Sequence, residues 1–160
     1  LDDILGLSSA GFVLSLFWVG MSVGRFFSGK LSTIYSTYAL LTILALLGGG
    51  SMLLAAWAKD ITLCIIAFTI AGIGFSGMYP LLISLSKHLK GEQGMMISFL
   101  SSAGGIGSSL MTALVGGISQ TAGLRLGITA IGLLPLFSWL MVGIFRYHSY
   151  KQLSLRGVAR

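Results

Sequence analysis

Charged residues are scarce in this 160-residue chain. Only 9% of its residues are charged and 55% are hydrophobic, whereas soluble domains average about 25% charged residues. The mean hydropathy is +0.94. This composition excludes an ordinary soluble globular protein, and we expect an integral membrane protein surrounded by a lipid bilayer.

Acidic residues are the rarest charged type. The chain has four of them, and all lie at the ends of apolar runs or in the links between runs: Asp2, Asp3, Asp60 and Glu92. An ionisable residue inside a membrane span is a common proton carrier. No run contains such an acid, so a proton-coupled process would need a titrating carboxylate from elsewhere in the polypeptide.

Groups that carry chemistry are also few. The single cysteine, Cys64, excludes an internal disulfide, and its apolar surroundings favour a role as a small hydrophobic residue. His88 and His148 have no acidic or thiol partner at metal-ligand spacing. Glycine-rich strings such as GIGFSG lack lysine and lie inside apolar runs, which rejects a phosphate-binding loop. We expect no enzyme activity, no metal and no cofactor.

Basic residues outnumber acidic ones and give a net charge of +6. They are scattered at run ends and in the tail instead of forming a stripe with aromatic residues, so we expect no nucleic-acid partner. Lys30, Lys87, Lys90 and the tail share one side of the membrane if every run crosses it. The positive-inside rule then places the C-terminus in the cytoplasm and predicts a multi-pass protein of the cell (inner) membrane.

Five long apolar runs dominate the sequence. They span about 7–29, 37–58, 61–86, 95–119 and 126–145, and a cytoplasmic tail follows at 146–160. About 20 residues suffice for a helix to cross a hydrocarbon core of ~30 Å, and lipid strongly favours helices because it cannot hydrogen-bond the backbone. The sequence therefore predicts an all-α polytopic bundle of five transmembrane helices in one membrane domain, residues 1–160. The start, LDDILGLSS, has neither Met nor a basic segment, and we expect a fragment or the C-terminal part of a longer polypeptide.

The third run combines proline and glycine at its middle. Pro80 has no N–H for the carbonyl of Ser76, and Gly72 and Gly77 weaken the same region. We expect the helix to kink or loosen there. A loosened helix persists in a membrane where neighbouring helices or a water-filled cavity satisfy the freed groups. The region is therefore a candidate gate or cavity lining, with plain packing as the alternative.

Small residues at every fourth position predict close helix contacts. Three runs carry such stripes: Gly20, Gly24 and Ser28 on the first; Gly72, Ser76, Pro80 and Ser84 on the third; and Ser101, Gly105, Ser109, Ala113 and Gly117 on the fourth. We expect the fourth span to be buried against a partner. The second and fifth runs are richer in Leu and Ile, so we expect them, with Trp139, to face lipid.

Aromatic and hydroxyl side chains near mid-span are the candidate contacts for a small-molecule substrate. Trp18 lies in the first run, and Ser76 and Tyr79, three residues apart, are expected to share one face of the third. An indole can stack on a sugar ring and hydroxyls can hydrogen-bond to it. The alternative for each residue is packing between helices.

Two strings give the chain a family resemblance. FWVGMSVGRFFSGKL, at 17–31, is similar to the eighth helix of fucose permease-like sugar:proton symporters, and AGIGFSGMYPLLISL, at 71–85, is similar to their tenth. With the glycine-rich fourth run and the QTAGLRLGI link, the chain resembles helices 8 to 12, the C-terminal half of a major facilitator superfamily transporter. The resemblance implies two six-helix halves that rock around a central site, with the tenth helix lining the cavity and the N-terminal half as a missing partner.

The cytoplasmic loop after the eighth helix departs from the family pattern. The family's GxLaDRxGR-like string supplies a charged latch. Here Gly24 and Arg25 form the Gly-Arg pair, and Gly29 and Leu31 match, but Ser32 and Thr33 occupy the charged positions. We expect a degraded latch, with Arg25 bound to carbonyls, lipid phosphate or the missing half.

These observations favour part of a secondary active transporter that moves a small polar solute, a sugar being one candidate, with proton coupling. Two alternatives stay open. One is a drug or metabolite efflux permease of the same superfamily. The other is a small membrane scaffold protein that does not transport.

Overall fold

A computed structural model of the chain describes the backbone of residues 7–86 and 93–157 and the side chains of residues 11–84 and 94–144. The predictions made for Asp2, Asp3, His88 and Glu92 lie outside these ranges, as does the side chain of His148.

The described backbone is helical with short connections and contains no strand. Its helices are α1 (Leu7–Leu31), α2 (Thr37–Trp57), α3 (Ile61–Ser76), α4 (Met78–Ser86), α5 (Gln93–Ala122) and α6 (Leu124–Gly157). With α3 and α4 taken together, five of these segments are long and apolar enough to cross a membrane. The predicted all-α polytopic bundle with five spans is confirmed.

Local capping explains where two helices begin, and a glycine explains the turn between two others. The Ser36 hydroxyl accepts a hydrogen bond from the Ala39 N–H, and the Asp60 carboxylate accepts bonds from the N–H groups of Thr62 and Leu63. Both residues satisfy amides that have no partner inside the helix. Between α5 and α6, Gly123 adopts a φ of 90°, a left-handed conformation that favours glycine. The chain can thereby reverse without a longer loop.

Glycines at the middle of the bundle let α1 and α3 touch through their backbones. A Cβ atom on Gly20 would collide with the Thr69 carbonyl oxygen, and one on Gly72 would collide with the Phe17 carbonyl oxygen. Gly24 lies equally close to Ser76. The stripe predicted on the first span is confirmed, as are its partners Gly72 and Ser76 on the third, whereas Pro80 of that stripe is exposed.

The second span lies at the centre of the described bundle. Gly48 contacts Gly74 of α3, and Gly49 contacts Gly132 of α6. Successive helix residues point about 100° apart, so two adjacent glycines serve two different neighbours. Half of the most apolar stretch of α2 is buried. The expectation that the second span faces lipid is therefore wrong for its buried half, while Ile43, Leu46 and Leu54 are exposed on the other half. The fifth span packs closely on α2 at Gly49.

The contacts among Gly48, Gly49, Gly74 and Gly132 form a glycine layer at the middle of the bundle. Apolar clusters fill the space at each end of this layer. One cluster joins α2 to α4 through Leu40, Leu41, Leu44 and Leu81; the other joins α2, α3 and α6 through Met52, Ala56, Ala71 and Ile128. Cys64 is buried at the end of the bundle that holds the second cluster. This burial agrees with its expected role as a small hydrophobic residue.

The fourth span is the least buried of the five. No residue in its most apolar stretch is buried, and a Cβ atom on Gly105 or Gly117 would meet no other atom. Helix α5 contacts α6 where Gly127 packs against Ser119, and it contacts α4 more lightly. The expectation that the stripe of this span is buried is wrong within the described chain, because no described segment covers it.

The glycine layer yields a matched pair of variants. Gly74→Val forces a branched side chain into the Gly48 backbone and is expected to lower the free energy of unfolding by about 1–3 kcal/mol, the usual cost of overpacking. Gly50→Val, on an exposed glycine with open space around it, is expected to change it by less than about 0.5 kcal/mol. Denaturant unfolding in detergent measures both, and equal losses would contradict the close contact between α2 and α3.

Candidate functional site

The third span is broken at the predicted position. Helix α3 ends at Ser76, Gly77 adopts φ −94° and ψ −11°, and α4 begins at Met78. Pro80, the third residue of α4, cannot donate to the Ser76 carbonyl, and helical bonding resumes where the Leu81 N–H donates to the Gly77 carbonyl at 3.1 Å. The helix is thus interrupted at Gly77; the bend expected there and its role as a gate stay predictions.

The break gives the two halves of one span different neighbours. Helix α3 packs on α1 and α2, while α4 packs on α2 and α5. Gly77 itself is buried, and a Cβ atom there would press on Leu44 of α2 and Ser28 of α1. The junction is thus firmly held, and α4 is the short, separately packed element beyond it.

Ser76 and Tyr79 do not share a face. Ser76 is only 2% exposed, and its hydroxyl donates to the Ile73 carbonyl of its own helix at 2.6 Å. Tyr79 is 47% exposed, and its hydroxyl lies 2.7 Å from the Ser101 hydroxyl of α5. The expected shared face is not observed. Ser76 of α3 is buried against Gly24 of α1, whereas Tyr79 is exposed and links α4 to α5.

Helix α1 presents a polar face away from its contact with α3. Its members recur at alternating spacings of four and three residues, and all are exposed: Gly11, Ser15, Trp18, Ser22, Arg25 and Gly29. The hydroxyls of Ser15 and Ser22 donate to backbone carbonyls one turn earlier, and Trp18 contacts Phe17 edge-on. Sequence reasoning identified Trp18 and Arg25 but missed Ser15 and Ser22. The alternating spacing of four and three residues was the signal that could have identified these serines.

Arg25 makes the polar face of α1 a costly surface to place in lipid. Its Nη2 atom lies 3.5 Å from the Met21 sulfur, and no ion pair is found for it within residues 11–84 and 94–144. An unpaired arginine inside a span costs several kcal/mol unless it reaches the interface or water. Of the other expected loop-motif residues, Gly24 is buried, Gly29 is in open space and Leu31 packs on the apolar cluster of α2 and α4.

Helix α5 presents a second polar face, here called the hydroxyl face. It comprises Ser98, Ser101, Ser108, Ser109 and Thr112, which fall within an arc of roughly 100° around the helix and are all exposed. Three of the hydroxyls donate to carbonyls of their own helix. The Tyr79 contact at Ser101 places α4 beside this face. The fourth-residue stripe predicted from sequence included Ser101 and Ser109 and missed the other three hydroxyls.

A metal centre finds no support in these helices. The described residues contain no group of three or more His, Cys, Asp or Glu side chains that could hold an ion. The arrangement offers hydroxyls, indole and phenol to a solute, which suits hydrogen bonding and stacking.

The hydrogen bond between Tyr79 and Ser101 can be tested directly. Tyr79→Phe and Ser101→Ala are each expected to lower the free energy of unfolding by about 0.5–1 kcal/mol, the usual worth of such a bond in a membrane protein. The double variant should lose little more than either single one, since both remove the same bond. Ser109→Ala is the control, because its hydroxyl bonds within α5. Fully additive losses in the cycle would contradict the contact.

Comparison with known families agrees with this architecture. The sequence matches the family profile described as Major Facilitator Superfamily over residues 2–157. No curated protein and no solved structure gave a match. The superfamily consists of membrane transporters, which is consistent with the expected lack of enzyme activity. With its five apolar spans in a bilayer and a match along almost its whole length, the chain belongs to the Major Facilitator Superfamily of membrane transporters.

Proposed function

We propose that the chain is the C-terminal half, helices 8 to 12, of a secondary active transporter that moves a small polar solute by alternating access. The resemblance of residues 17–31 and 71–85 to fucose permease-like symporters supports this position and favours a sugar. The missing N-terminal half would then cover the polar faces of α1 and α5, which no described segment of this chain covers.

One observation carries the proposal: the hydroxyl face of α5 is exposed and lies beside a broken span. A polar solute needs hydrogen-bonding groups inside the membrane, and side chains in a transporter supply them around a cavity. Tyr79 stands where the short helix α4 meets this face. Trp18, half exposed on the polar face of α1, offers an indole for stacking on a sugar ring.

Proton coupling would require a residue outside the described spans. Asp60 is the one acid within the described residues, and it caps α3 at the end of the span. In the proposed transporter the titrating carboxylate therefore comes from the missing half. The same lack of acids, together with the aromatic side chains, supports efflux of drugs or metabolites as the second candidate, because amphipathic solutes bind without a carboxylate in the lining.

Transport by the full-length polypeptide tests the proposal. Accumulation of sugars in vesicles under an imposed pH gradient, lost when the gradient is collapsed, supports symport. Resistance of cells to hydrophobic cations with no sugar uptake would support efflux. A full-length protein that inserts in the membrane but transports neither sugars nor hydrophobic cations would overturn the proposed function. The scaffold protein would then be the remaining interpretation.

The break at Gly77 and Pro80 gives a prediction for transport. Pro80→Ala restores a backbone donor to the Ser76 carbonyl and stiffens the span, so the rate of uptake should fall several-fold while membrane insertion stays normal. Pro80→Gly, which keeps the segment loose, should retain more activity than Pro80→Ala.

Pro135 provides the matched control, because α6 runs through it without a break. Pro135→Ala is expected to keep uptake close to wild type. Initial rates at equal protein levels in the membrane give the comparison. Wild-type uptake by Pro80→Ala would count against a gating role of the break.

From the positions of the basic residues we infer that the protein lies in the inner membrane of the cell and that its C-terminus is in the cytoplasm. A green fluorescent protein fused after Arg160 should therefore fluoresce, and an alkaline phosphatase fused there should be inactive. An active phosphatase fusion would reverse the orientation.

A further inference from the structure

A small cavity lies between α2, α4 and α6, at the end of the bundle where α2 begins. Its volume is about 60 Å³, and its walls include Leu41 and Ala45 of α2, Met78 and Leu82 of α4, and Trp139 and Gly143 of α6. Most of this lining is aliphatic or aromatic carbon. The cavity is separate from the polar faces of α1 and α5.

The cavity lies beside a shallow apolar groove on α6. Trp139 and Gly143, which line the cavity, also line this groove, together with Leu140 and Ile144. Leu140 is 50% exposed and Ile144 is 46% exposed. Two shared lining residues therefore place the groove next to the cavity on one apolar membrane span.

The chemistry of the cavity does not suit a polar solute. The Trp139 N–H donates to the Thr42 hydroxyl at 3.1 Å, and that hydroxyl donates to the Tyr38 carbonyl at 2.9 Å. The indole thus turns its donor to the protein and offers its carbon surface to the cavity. Sites for drug-sized solutes enclose about 300–1,000 Å³, several times the volume of this cavity.

We propose that the cavity and groove bind a single lipid acyl chain, with its terminal carbons in the cavity and the preceding carbons along Trp139 and Gly143. Lipid tails gain no hydrophobic free energy by leaving the bilayer. They gain dispersion contacts with walls that otherwise border a void. Because Met78 and Leu82 belong to α4, the bound chain touches the short helix beyond the break. An effect on gating would rest on the function proposed above; binding itself does not.

Tryptophan fluorescence tests the site. Trp18→Phe with Trp57→Phe leaves Trp139 as the single tryptophan of the purified chain in detergent, which is titrated with phosphatidylcholine brominated on its acyl chains. Saturable quenching of Trp139 is expected at a low ratio of lipid to protein. Gly143→Leu fills the cavity from a position where a Cβ atom meets no neighbour, and it should weaken the apparent affinity several-fold. Gly50→Leu should leave it unchanged.

A second single-tryptophan protein keeps the test decisive if Gly143→Leu does not fold. Trp57 is 59% exposed at the opposite end of α2, away from the cavity. A protein that retains only Trp57 should show quenching that rises with lipid content without early saturation. If Trp139 and Trp57 are quenched in parallel, or if a folded Gly143→Leu protein is quenched like its parent, the acyl-chain site is overturned.

Discussion

Backbone contact at mid-depth glycines is the constraint on which the rest of the bundle depends. In lipid the hydrophobic effect does not drive helices together, so association depends on how closely their backbones approach. Gly20 and Gly72 join α1 to α3, and the pair Gly48 and Gly74 joins α2 to α3. Because α3 is held on two sides, its end at Ser76 is fixed in space. The interruption that follows therefore separates α3, which α1 and α2 hold, from α4, which packs on α2 and α5.

The two prolines show that proline alone does not determine a break. Pro135 lies inside α6, which continues without interruption, whereas Pro80 follows an interruption at Gly77. The residues before Pro80 include three glycines, each of which costs a helix about 1 kcal/mol relative to alanine. Pro135 follows two leucines, and closely packed α2 supports its helix at Gly49 and Gly132. The local sequence before a proline, together with its neighbours, decides whether the missing hydrogen bond ends a helix.

Sequence reasoning reached the number of spans and the position of the break because both depend on local properties. Runs of apolar residues determine the spans, and proline with glycine determines the loosened turn. The packing of the helices against one another was harder to predict from the sequence. Gly48 and Gly49 lie in a leucine-rich span, and only the structure shows that they contact α3 and α6 separately. The expected face shared by Ser76 and Tyr79 failed for a related reason: spacing along a helix does not show which side chains a neighbouring helix covers, and α1 covers Ser76 while Tyr79 stays exposed.

The positions of the polar side chains distinguish the helices from one another more clearly than their mean hydropathy does. Helix α2 contacts α3, α4 and α6 and is buried by them, while α1 and α5 each keep one polar face that nothing described covers. The serine and threonine hydroxyls on these faces bond to carbonyls of their own helices, so Arg25 is the group that makes contact with hydrocarbon costly. That charge needs the membrane interface, water or further protein beside it. Tyr79, whose hydroxyl lies beside that of Ser101, is the described residue that joins the short helix α4 to the polar face of α5.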